Sequence, residues 1–593
     1  MDRMAIRQVT KCGEWFFGKE RLKSCIPALE VRAGEVGLIL GSAGTPQMSR
    51  GVVSRCADAP VRLHGKLFAV IDGNASTVSP VTVAASNQRM IAGVAAAAVA
   101  LGVAQLVSIP FGARADARTA IGSVIIDLTP RPIKEWGIQT LGTMDKFFVA
   151  VAVLVVIAAI AAIAGTFETQ RRPLGSAAIA AAGVLGCIAV LSRPGATALD
   201  TIPTIAGAVC GVAALRLLTR RFSLAPEDST GSADHDEMDA SRRRLLTFGL
   251  LGFGVVSGVV GVFLTRLVHS VAADRNTFTL RRPRTSAPPI PAGVQPDGVA
   301  LPSFVTASAD FYRVDTALSV PQLRHGDWRL RIHGMVDREV TYSFDDLDGF
   351  GVVEIVATLT CVSNPVGGKL ISTGIWTGYR MAELLAAAGV HADADMMLST
   401  SIDGFTAGTP VAALTDDRNA LLAIGLNGQP LPIEHGYPAR LIVPGLYGYV
   451  SATKWVVDME LTRFDRAQAY WTRQGWAPRG PIKTESRIDV PKDGQKVPMG
   501  PVMFGGVAWA QNRGVRAVEV RIDDGGWQPA ELGTSYSNET WRLWRFPWQA
   551  KSPGKQTITV RATDNTGTVQ TADQVGPVPD GATGWHTVEF TVA

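Results

Sequence analysis

The chain has 593 residues, and its 57 lysines and arginines against 52 aspartates and glutamates give a formal net charge of +5. Hydrophobic residues make up 47% and charged residues 18%, which excludes a single soluble domain of ordinary composition. The apolar excess is concentrated between about residues 90 and 268. Arginines beside these runs account for much of the charge, so the charge indicates membrane topology and not a nucleic-acid partner.

The first segment, residues 1–88, shows no clear helical or strand periodicity. We expect it to be a cytoplasmic N-terminal extension, with an upstream misassigned start as an open alternative. It contains three of the six cysteines, Cys12, Cys25 and Cys56.

Residues 89–270 are predicted to form a transmembrane bundle of about five helices. A helix needs about 20 apolar residues to cross a bilayer. The runs near that length are residues 91–111, 147–167, 174–192, 201–218 and 245–268.

Arginines at residues 171–172, 220–221 and 242–244 fall in alternate loops. The positive-inside rule places these loops in the cytoplasm, so residues after 268 are predicted to lie outside it. The sequence therefore indicates a multi-pass plasma-membrane protein with an extracytoplasmic catalytic part.

Residues 241–246, SRRRLL, resemble a twin-arginine export signal, and three ordinary stop-transfer arginines are an equal alternative. Of eight histidines, only His269 lies at the edge of a predicted span. Since a membrane haem held by two imidazoles needs pairs of them, we expect no haem. Electrons would then pass to or from a separate cytochrome or quinone.

Beyond the last span, residues 271–298 are predicted to form a proline-rich linker that holds the next domain away from the lipid. Residues 299–480 mix strand-like and helical patterns, which is typical of an α+β domain. Residues 481–593 change to short alternating strands with turn signals. About seven strands in this length suit an immunoglobulin-like β-sandwich.

Cys361 is the only cysteine after Cys210, and it lies in the segment TCVSNPVGG, residues 360–368. An apolar, β-branched run at residues 352–359 precedes it and predicts a buried strand. A lone thiol in an exported domain is expected to be reactive, paired with another chain or bound to metal. A small buried hydrophobe is the structural alternative.

A second segment begins with HGYPAR at residues 435–440 and ends at Lys454. Arg440 and Lys454 enclose a glycine-rich turn, which suits a phosphorylated ligand. Ordinary surface cations beside a hairpin are the alternative reading of this segment alone.

Taken together, these segments resemble the sulfite oxidase family of molybdenum enzymes, from about Phe311 to the end of the chain. FYRVD at residues 311–315 resembles the opening segment of the family, residues 360–364 its metal loop, and residues 435–455 its cofactor-phosphate segment. The last domain resembles the family's dimerisation domain, which implies a possible homodimer.

The resemblance implies a role for seven residues. Cys361 would be the catalytic residue and the protein ligand of molybdenum, and sulfur donors suit a metal that cycles between oxidation states. The residues that would hold the molybdopterin cofactor are Tyr312, Arg313, Asp315, His435, Arg440 and Lys454.

We therefore predict a membrane-anchored oxidoreductase that transfers an oxygen atom to or from a small, possibly sulfur-containing substrate. Asn364, Pro365 and Val366 stand where sulfite-oxidising members of the family place arginines, so a neutral or larger substrate is expected. One alternative is a reductase of sulfoxides such as oxidised methionine. The other is a non-catalytic binding or scaffold protein without metal.

Overall fold

The computed structural model of the protein describes residues 9–17, 20–28, 80–130, 133, 140, 145–193, 195–220 and 233–593. Contacts divide the chain into two compact units, residues 1–77 and 78–593. In the first unit, β1 (Val9–Phe17) and β2 (Glu20–Ala28) form an antiparallel pair. The sequence pattern did not indicate these strands.

The second unit begins with long helices. In chain order they are α1 (Pro80–Val107), α2 (Ala117–Leu128), α3 (Asp145–Thr166), α4 (Leu174–Leu191), α5 (Ile202–Arg220) and α6 (Ala233–His269). Within the described residues, five helices are long and apolar enough to cross a membrane, with candidate spans at Ser86–Val107, Phe148–Thr166, Leu174–Leu191, Ala198–Thr219 and Arg244–Thr277. These five spans match the predicted runs to within a few residues at most ends.

Helix α1 packs against α3, α5 and α6 through small residues. A Cβ atom at Gly102 would lie 2.2 Å from the carbonyl oxygen of Gly254, and one at Gly207 would lie 2.3 Å from that of Ala100. Glycine is therefore required at these crossings, because no side chain fits between the two backbones.

The part of the chain after α6 contains shorter helices. They are α7 (Ala272–Thr277), α8 (Met381–Ala388), α9 (Ala412–Thr415), α10 (Gly448–Ser451) and α11 (Tyr470–Arg473). Single 3-10 turns occur at Ala113–Ala115, Ala198–Thr201, His325–Asp327, Asp346–Gly349 and Ile433–His435.

Residues 330–462 form two sheets. Their strands are β3 (Leu330–Gly334), β4 (Val340–Tyr342), β5 (Val352–Thr360), β6 (Ile371–Arg380), β7 (Met396–Ser401), β8 (Thr406–Pro410), β9 (Leu421–Leu426), β10 (Gln429–Pro430), β11 (Arg440–Ile442) and β12 (Val456–Thr462). The first sheet has the order β10-β9-β6-β5, with β11 paired to β9, and the second has the order β4-β3-β12-β7-β8. The first sheet is antiparallel and the second is mixed, since β12 pairs with β3 in parallel. These sheets with short helices agree with the predicted α+β class.

The C-terminal region is rich in β-strands. They are β13 (Glu485–Val490), β14 (Gln495–Val497), β15 (Gly500–Trp509), β16 (Val515–Ile522), β17 (Gln528–Pro529), β18 (Glu531–Leu532), β19 (Arg542–Ala550), β20 (Gly554–Asp564) and β21 (His586–Val592). The two sheets, β13-β15-β19-β18 and β14-β21-β20-β16-β17, enclose a core that includes Phe504, Trp544 and Phe590. Two of the nine strands have only two residues each, so about seven longer strands remain.

The segment expected to be an extended spacer instead packs on its neighbours. Arg284 donates its backbone N–H to the carbonyl of Val352, and Tyr536 donates its hydroxyl to the carbonyl of Pro288. Helix α7 also contacts the domain that follows it. Proline-rich backbone leaves carbonyls free, and side chains of the C-terminal region such as Tyr536 reach them, while the catalytic domain bonds to the backbone of this segment.

Candidate active site

Cys361 lies buried at the end of the strand β5. Its residues Val356, Ala357 and Leu359 are buried, so the strand is fixed on both faces. Cys361 follows the last strand residue and donates its N–H to the carbonyl of Leu370 at 2.9 Å. The thiol is therefore held at the strand end, as the sequence predicted.

Burial raises the pKa of the Cys361 thiol, although hydrogen bonds from Ser363 and the charge of Lys454 oppose this. The side chain is 9% exposed. A buried thiol in this setting keeps its proton until a metal ion displaces it.

The second segment supplies cations from β11 and the loops around it. Arg440, the first residue of β11, donates from Nη1 to the carbonyl of His435 at 2.9 Å. Gly436 lies between them with φ of +112°, and a Cβ atom there would lie 3.0 Å from Cβ of Arg440. Glycine is required at this turn, because both the backbone conformation and the space exclude a side chain.

Lys454 joins this segment to the opening segment. Its Nζ atom donates to Asp315 at 3.0 Å and to the carbonyl of Glu434 at 3.0 Å. Arg313 donates to the same carboxylate at 2.8 Å. Asp315 therefore binds two cations that are far apart in the sequence.

Aromatic rings complete the cluster. Phe311 lies 5.8 Å from the rings of both Tyr312 and His435, and the guanidinium of Arg440 lies 5.3 Å from the ring centre of Trp376. Burial, together with the charge of Cys361, raises the pKa of Tyr312. The structure thus brings all seven predicted site residues into one cluster.

Burial destabilises the charged forms of the basic side chains in this cluster. Burial lowers the pKa of Lys454 to about 8 and that of Arg440 to about 10. Burial and then the charges of Arg440, Lys454 and Arg313 lower the pKa of His435 to about 3. A bound anion would relieve this mutual repulsion.

Three buried nitrogen atoms here have no hydrogen-bond partner among the described residues: Asn364 Nδ2, His435 Nδ1 and Arg440 Nε. Buried polar groups normally have partners, so these atoms face a ligand position. Three cations against one carboxylate, together with a buried thiol, fit an anionic cofactor that carries a metal.

Sequence reasoning did not assign roles to Trp376 and Gln511, and it connected Asn364 only with substrate preference. Asn364 accepts the N–H of Leu370 at 2.8 Å and fixes the loop after Cys361, and Gln511 donates to Thr360 Oγ1 at 3.1 Å. Asn364 stood inside the motif already singled out. No sequence pattern around Trp376 or Gln511 indicates a functional role, because only the fold brings these residues to the site.

The profile of the "Oxidoreductase molybdopterin binding domain" matches residues 317–471. This range contains Cys361, His435, Arg440 and Lys454. Tyr312, Arg313 and Asp315 lie just before it, and the structure alone connects them to the site.

Two curated relatives are informative. The chain is 32% identical over 174 residues to the "Uncharacterized oxidoreductase YuiH" of Bacillus subtilis (strain 168), covering 27% of this chain and 83% of that protein. It is 30% identical over 346 residues to the mitochondrial sulfite oxidase of Macaca fascicularis, covering 49% of this chain and 62% of that protein. The chain therefore spans less than two thirds of the mammalian enzymes it matches.

Among solved structures, the chain is similar to the sulfane dehydrogenase SoxCD from Paracoccus pantotrophus, with a TM-score of 0.42 and 23% identity. That match covers 48% of this chain and 80% of the other.

These findings show that the chain belongs to the sulfite oxidase family of molybdopterin-dependent oxidoreductases. Its cofactor is the molybdenum–molybdopterin group. The site described above fits that group, because it offers one sulfur ligand and a cluster of buried donors.

Proposed function

We propose that this protein transfers an oxygen atom between water and a small sulfur-containing substrate at a molybdenum centre held by Cys361. The observation that carries the proposal is the buried thiol beside three cations and three unpartnered nitrogen atoms. The cofactor supplies two-electron redox chemistry at its metal when bound. The protein contributes ligation, charge and the exclusion of water.

Each predicted residue has a part in this proposal. Cys361 would ligate the metal, and the donors of His435, Arg440 and Lys454 would hold the pterin and its phosphate. Asp315 orients Lys454 and Arg313 without neutralising the cluster. Tyr312 would contact the same group from the opening segment.

The loop after Cys361 favours a substrate without strong negative charge. Asn364 and Pro365 stand where sulfite-oxidising members of the family place arginines. A substrate side without those arginines would bind a thioether or sulfoxide better than a small dianion.

Reduction of sulfoxides, such as oxidised methionine, is the second candidate function. It is favoured by the same lack of arginines after Cys361 and requires electron flow in the opposite direction. Turnover assays with sulfite and with methyl sulfoxides, using oxidising and reducing dyes, separate the two candidates.

We also propose the arrangement of the whole protein. The arginines at residues 171–172, 220–221 and 242–244 would face the cytoplasm, with the catalytic domain on the other side. The two C-terminal sheets would form an immunoglobulin-like domain that takes part in a homodimer. A cytochrome or quinone would exchange electrons with the site.

The decisive experiment is metal analysis of the full chain, purified in detergent from cells that make molybdopterin and are supplied with molybdate. We expect one molybdenum per chain and, in partly reduced protein, a Mo(V) electron paramagnetic resonance signal. Metal-free protein under these conditions would refute the proposal and support a scaffold protein.

A further inference from the structure

One face of the first C-terminal sheet points toward the metal loop. In the antiparallel pair of β13 and β15, Glu485 lies opposite Trp509, so the two side chains share a face. Trp509 belongs to the same buried core as Val362 and Tyr447 of the catalytic domain. Glu485 therefore faces the catalytic domain.

Neighbouring positions on this face touch the loop around Cys361. Arg487, two residues after Glu485, donates from Nη1 to the carbonyl of Gly368 at 2.8 Å. Gln511, two residues after Trp509, donates to the carbonyl of Thr358 at 3.2 Å. Glu485 is thus placed beside contacts to both sides of the metal loop.

This interface contains several buried polar atoms without a protein partner among the described residues. They are Glu485 Oε1, Trp509 Nε1 and Gln511 Oε1. Glu485 is only 5% exposed. Donors and acceptors gathered at one interface are what a short chain of ordered water molecules requires.

Tyr447 packs at this interface, in the same buried core as Trp509 and Val362. Its hydroxyl accepts the N–H of Lys483, two residues before Glu485, at 3.4 Å. The residue after it, Gly448, adjoins the metal loop, where a Cβ atom would lie 3.9 Å from the carbonyl oxygen of Thr360. Tyr447 thus contacts the segment that leads into Glu485 and adjoins the loop that holds Cys361. Burial raises the pKa of Tyr447, and the charges of Glu485, Asp580 and Cys361 add to the effect.

The same region opens to solvent through a cleft of about 580 Å³. Lys483 and Thr484, which directly precede Glu485, line this cleft together with Asp580. Lys483 and Asp580 form an ion pair of 2.8 Å at its edge. The backbone that leads into Glu485 therefore borders this cleft.

Burial raises the pKa of Glu485 to about 8, and Lys483 opposes the shift. The other charged groups are Arg487 on the same strand, which is paired with Asp489, and Asp580 from the loop across the cleft. The catalytic domain contributes Tyr447 and Cys361, and β15 contributes only neutral groups. The carboxyl group can thus gain and lose a proton near neutral pH.

We propose that Glu485, acting through Tyr447, carries protons between the reacting centre at Cys361 and the interdomain cleft. This inference rests on the proposed function. In the oxidising direction, a sulfur compound takes oxygen from one water molecule and releases two protons and two electrons. The electrons pass to a quinone or one-electron carrier. One proton passes to the Glu485 carboxylate and then to solvent, and the second is released to bulk water.

The first test is an infrared titration of the full-length, molybdenum-free protein, following the C=O band of protonated carboxylic acids. We expect one component to disappear near pH 8 in the wild type and to be absent in Glu485→Gln. Glu539→Gln is the matched control, because Glu539 is also a buried carboxyl group, whose pKa burial raises to about 7. It should lose a different component and keep the one near pH 8.

The second test is the pH profile of the molybdenum-loaded enzyme. In the oxidising direction we expect wild-type kcat to rise through about pH 8. Glu485→Gln should lower kcat roughly 10- to 100-fold above pH 8 and flatten the profile, less than the loss of a group that transfers protons directly to substrate. KM should stay within about twofold of the wild-type value, and Glu539→Gln should behave as the wild type.

Glutamine has nearly the same shape and polarity as a protonated glutamate, so Glu485→Gln is expected to fold. Glu485→Asp keeps a carboxyl group and should restore part of the pH-dependent rate. An unchanged infrared component or an unchanged pH profile in Glu485→Gln would overturn the inference. Absence of turnover in fully loaded wild-type protein would instead overturn the proposed function, and the infrared titration could still be read.

Discussion

At the scale of single residues, the position of Cys361 determines the chemistry of its thiol. The same thiol on a surface would be an ordinary oxidisable group. The end of β5 buries it and the loop hydrogen bonds fix it. Ser363 adds hydrogen bonds to the sulfur. These contacts prepare one sulfur atom to bind a metal.

Replacing Cys361 with serine should leave the domain folded and lower turnover by at least about 100-fold, because a hydroxyl is a poor substitute for a thiolate ligand. Turnover, metal content and thermal unfolding of the full chain check this. Cys210→Ser, in α5, is the matched control and should keep wild-type activity. Full activity in Cys361→Ser would remove the thiol from the mechanism.

Lys454 should make the stability of the cofactor-free protein depend on pH. Below pH 8 the Lys454 ammonium is charged in both the folded and the unfolded state. Burying this charge then lowers the free energy of unfolding by its full amount. Between about pH 8 and 10.5 only the unfolded state still holds it, so this group destabilises the protein less as the pH rises.

Compared with Lys454→Met, which cannot titrate, the wild type should gain on the order of 3 kcal/mol of unfolding free energy between pH 8 and 10.5. Denaturant unfolding of both proteins across this range measures the difference. A constant difference between them would show that the pKa of Lys454 is not lowered.

At the scale of elements, α7 connects the last long helix to the cofactor segment. Arg275 donates to the carbonyls of Leu431 at 2.8 Å and Pro430 at 2.7 Å. Tyr437 donates its hydroxyl to Asp274 at 2.7 Å. These bonds fix the backbone that leads to His435 and Arg440.

Replacing Arg275 with alanine should destabilise the domain by about 1–3 kcal/mol, because two carbonyls lose a charged donor. We also expect less molybdenum per chain, since the cofactor segment loses its anchor. Arg282→Ala changes an exposed arginine a few residues later and should have neither effect. Metal analysis and thermal unfolding distinguish the two variants, and equal behaviour would contradict the role of α7.

At the scale of the whole molecule, the catalytic and C-terminal regions share one hydrophobic core. Trp541 is 3% exposed and donates from Nε1 to the carbonyl of Phe304 at 2.9 Å. Val507 and Trp509 of β15 lie in the same cluster as Val362 and Tyr447. The two regions should therefore unfold together.

Replacing Trp541 with alanine should cost about 3–5 kcal/mol and lower the temperature of a single joint transition. Calorimetry of the full chain in detergent measures this. Trp527→Ala, at a partly exposed position, should shift the transition much less. Two separate transitions, only one of them shifted by Trp541→Ala, would show that the regions are independent.

Much of this architecture could be predicted from sequence because its signals are local. Apolar runs predicted the five long helices of the described residues, and the apolar, β-branched run before Cys361 predicted β5. The pattern did not indicate the contacts of residues 271–298, where composition predicted a linker and the carbonyl of Pro288 accepts a hydrogen bond from the distant Tyr536. Such contacts have no local signature.

The sequence by itself determined the order of the regions, the lone thiol after a buried strand and the cations of the cofactor segment. Only the tertiary structure decided that Asp315 binds Lys454, that Gln511 reaches Thr360 and that Glu485 faces the catalytic domain. The physical reason is that hydrophobic periodicity depends on residues a few positions apart, whereas burial, charge coupling and pKa depend on residues that only the folded chain brings together.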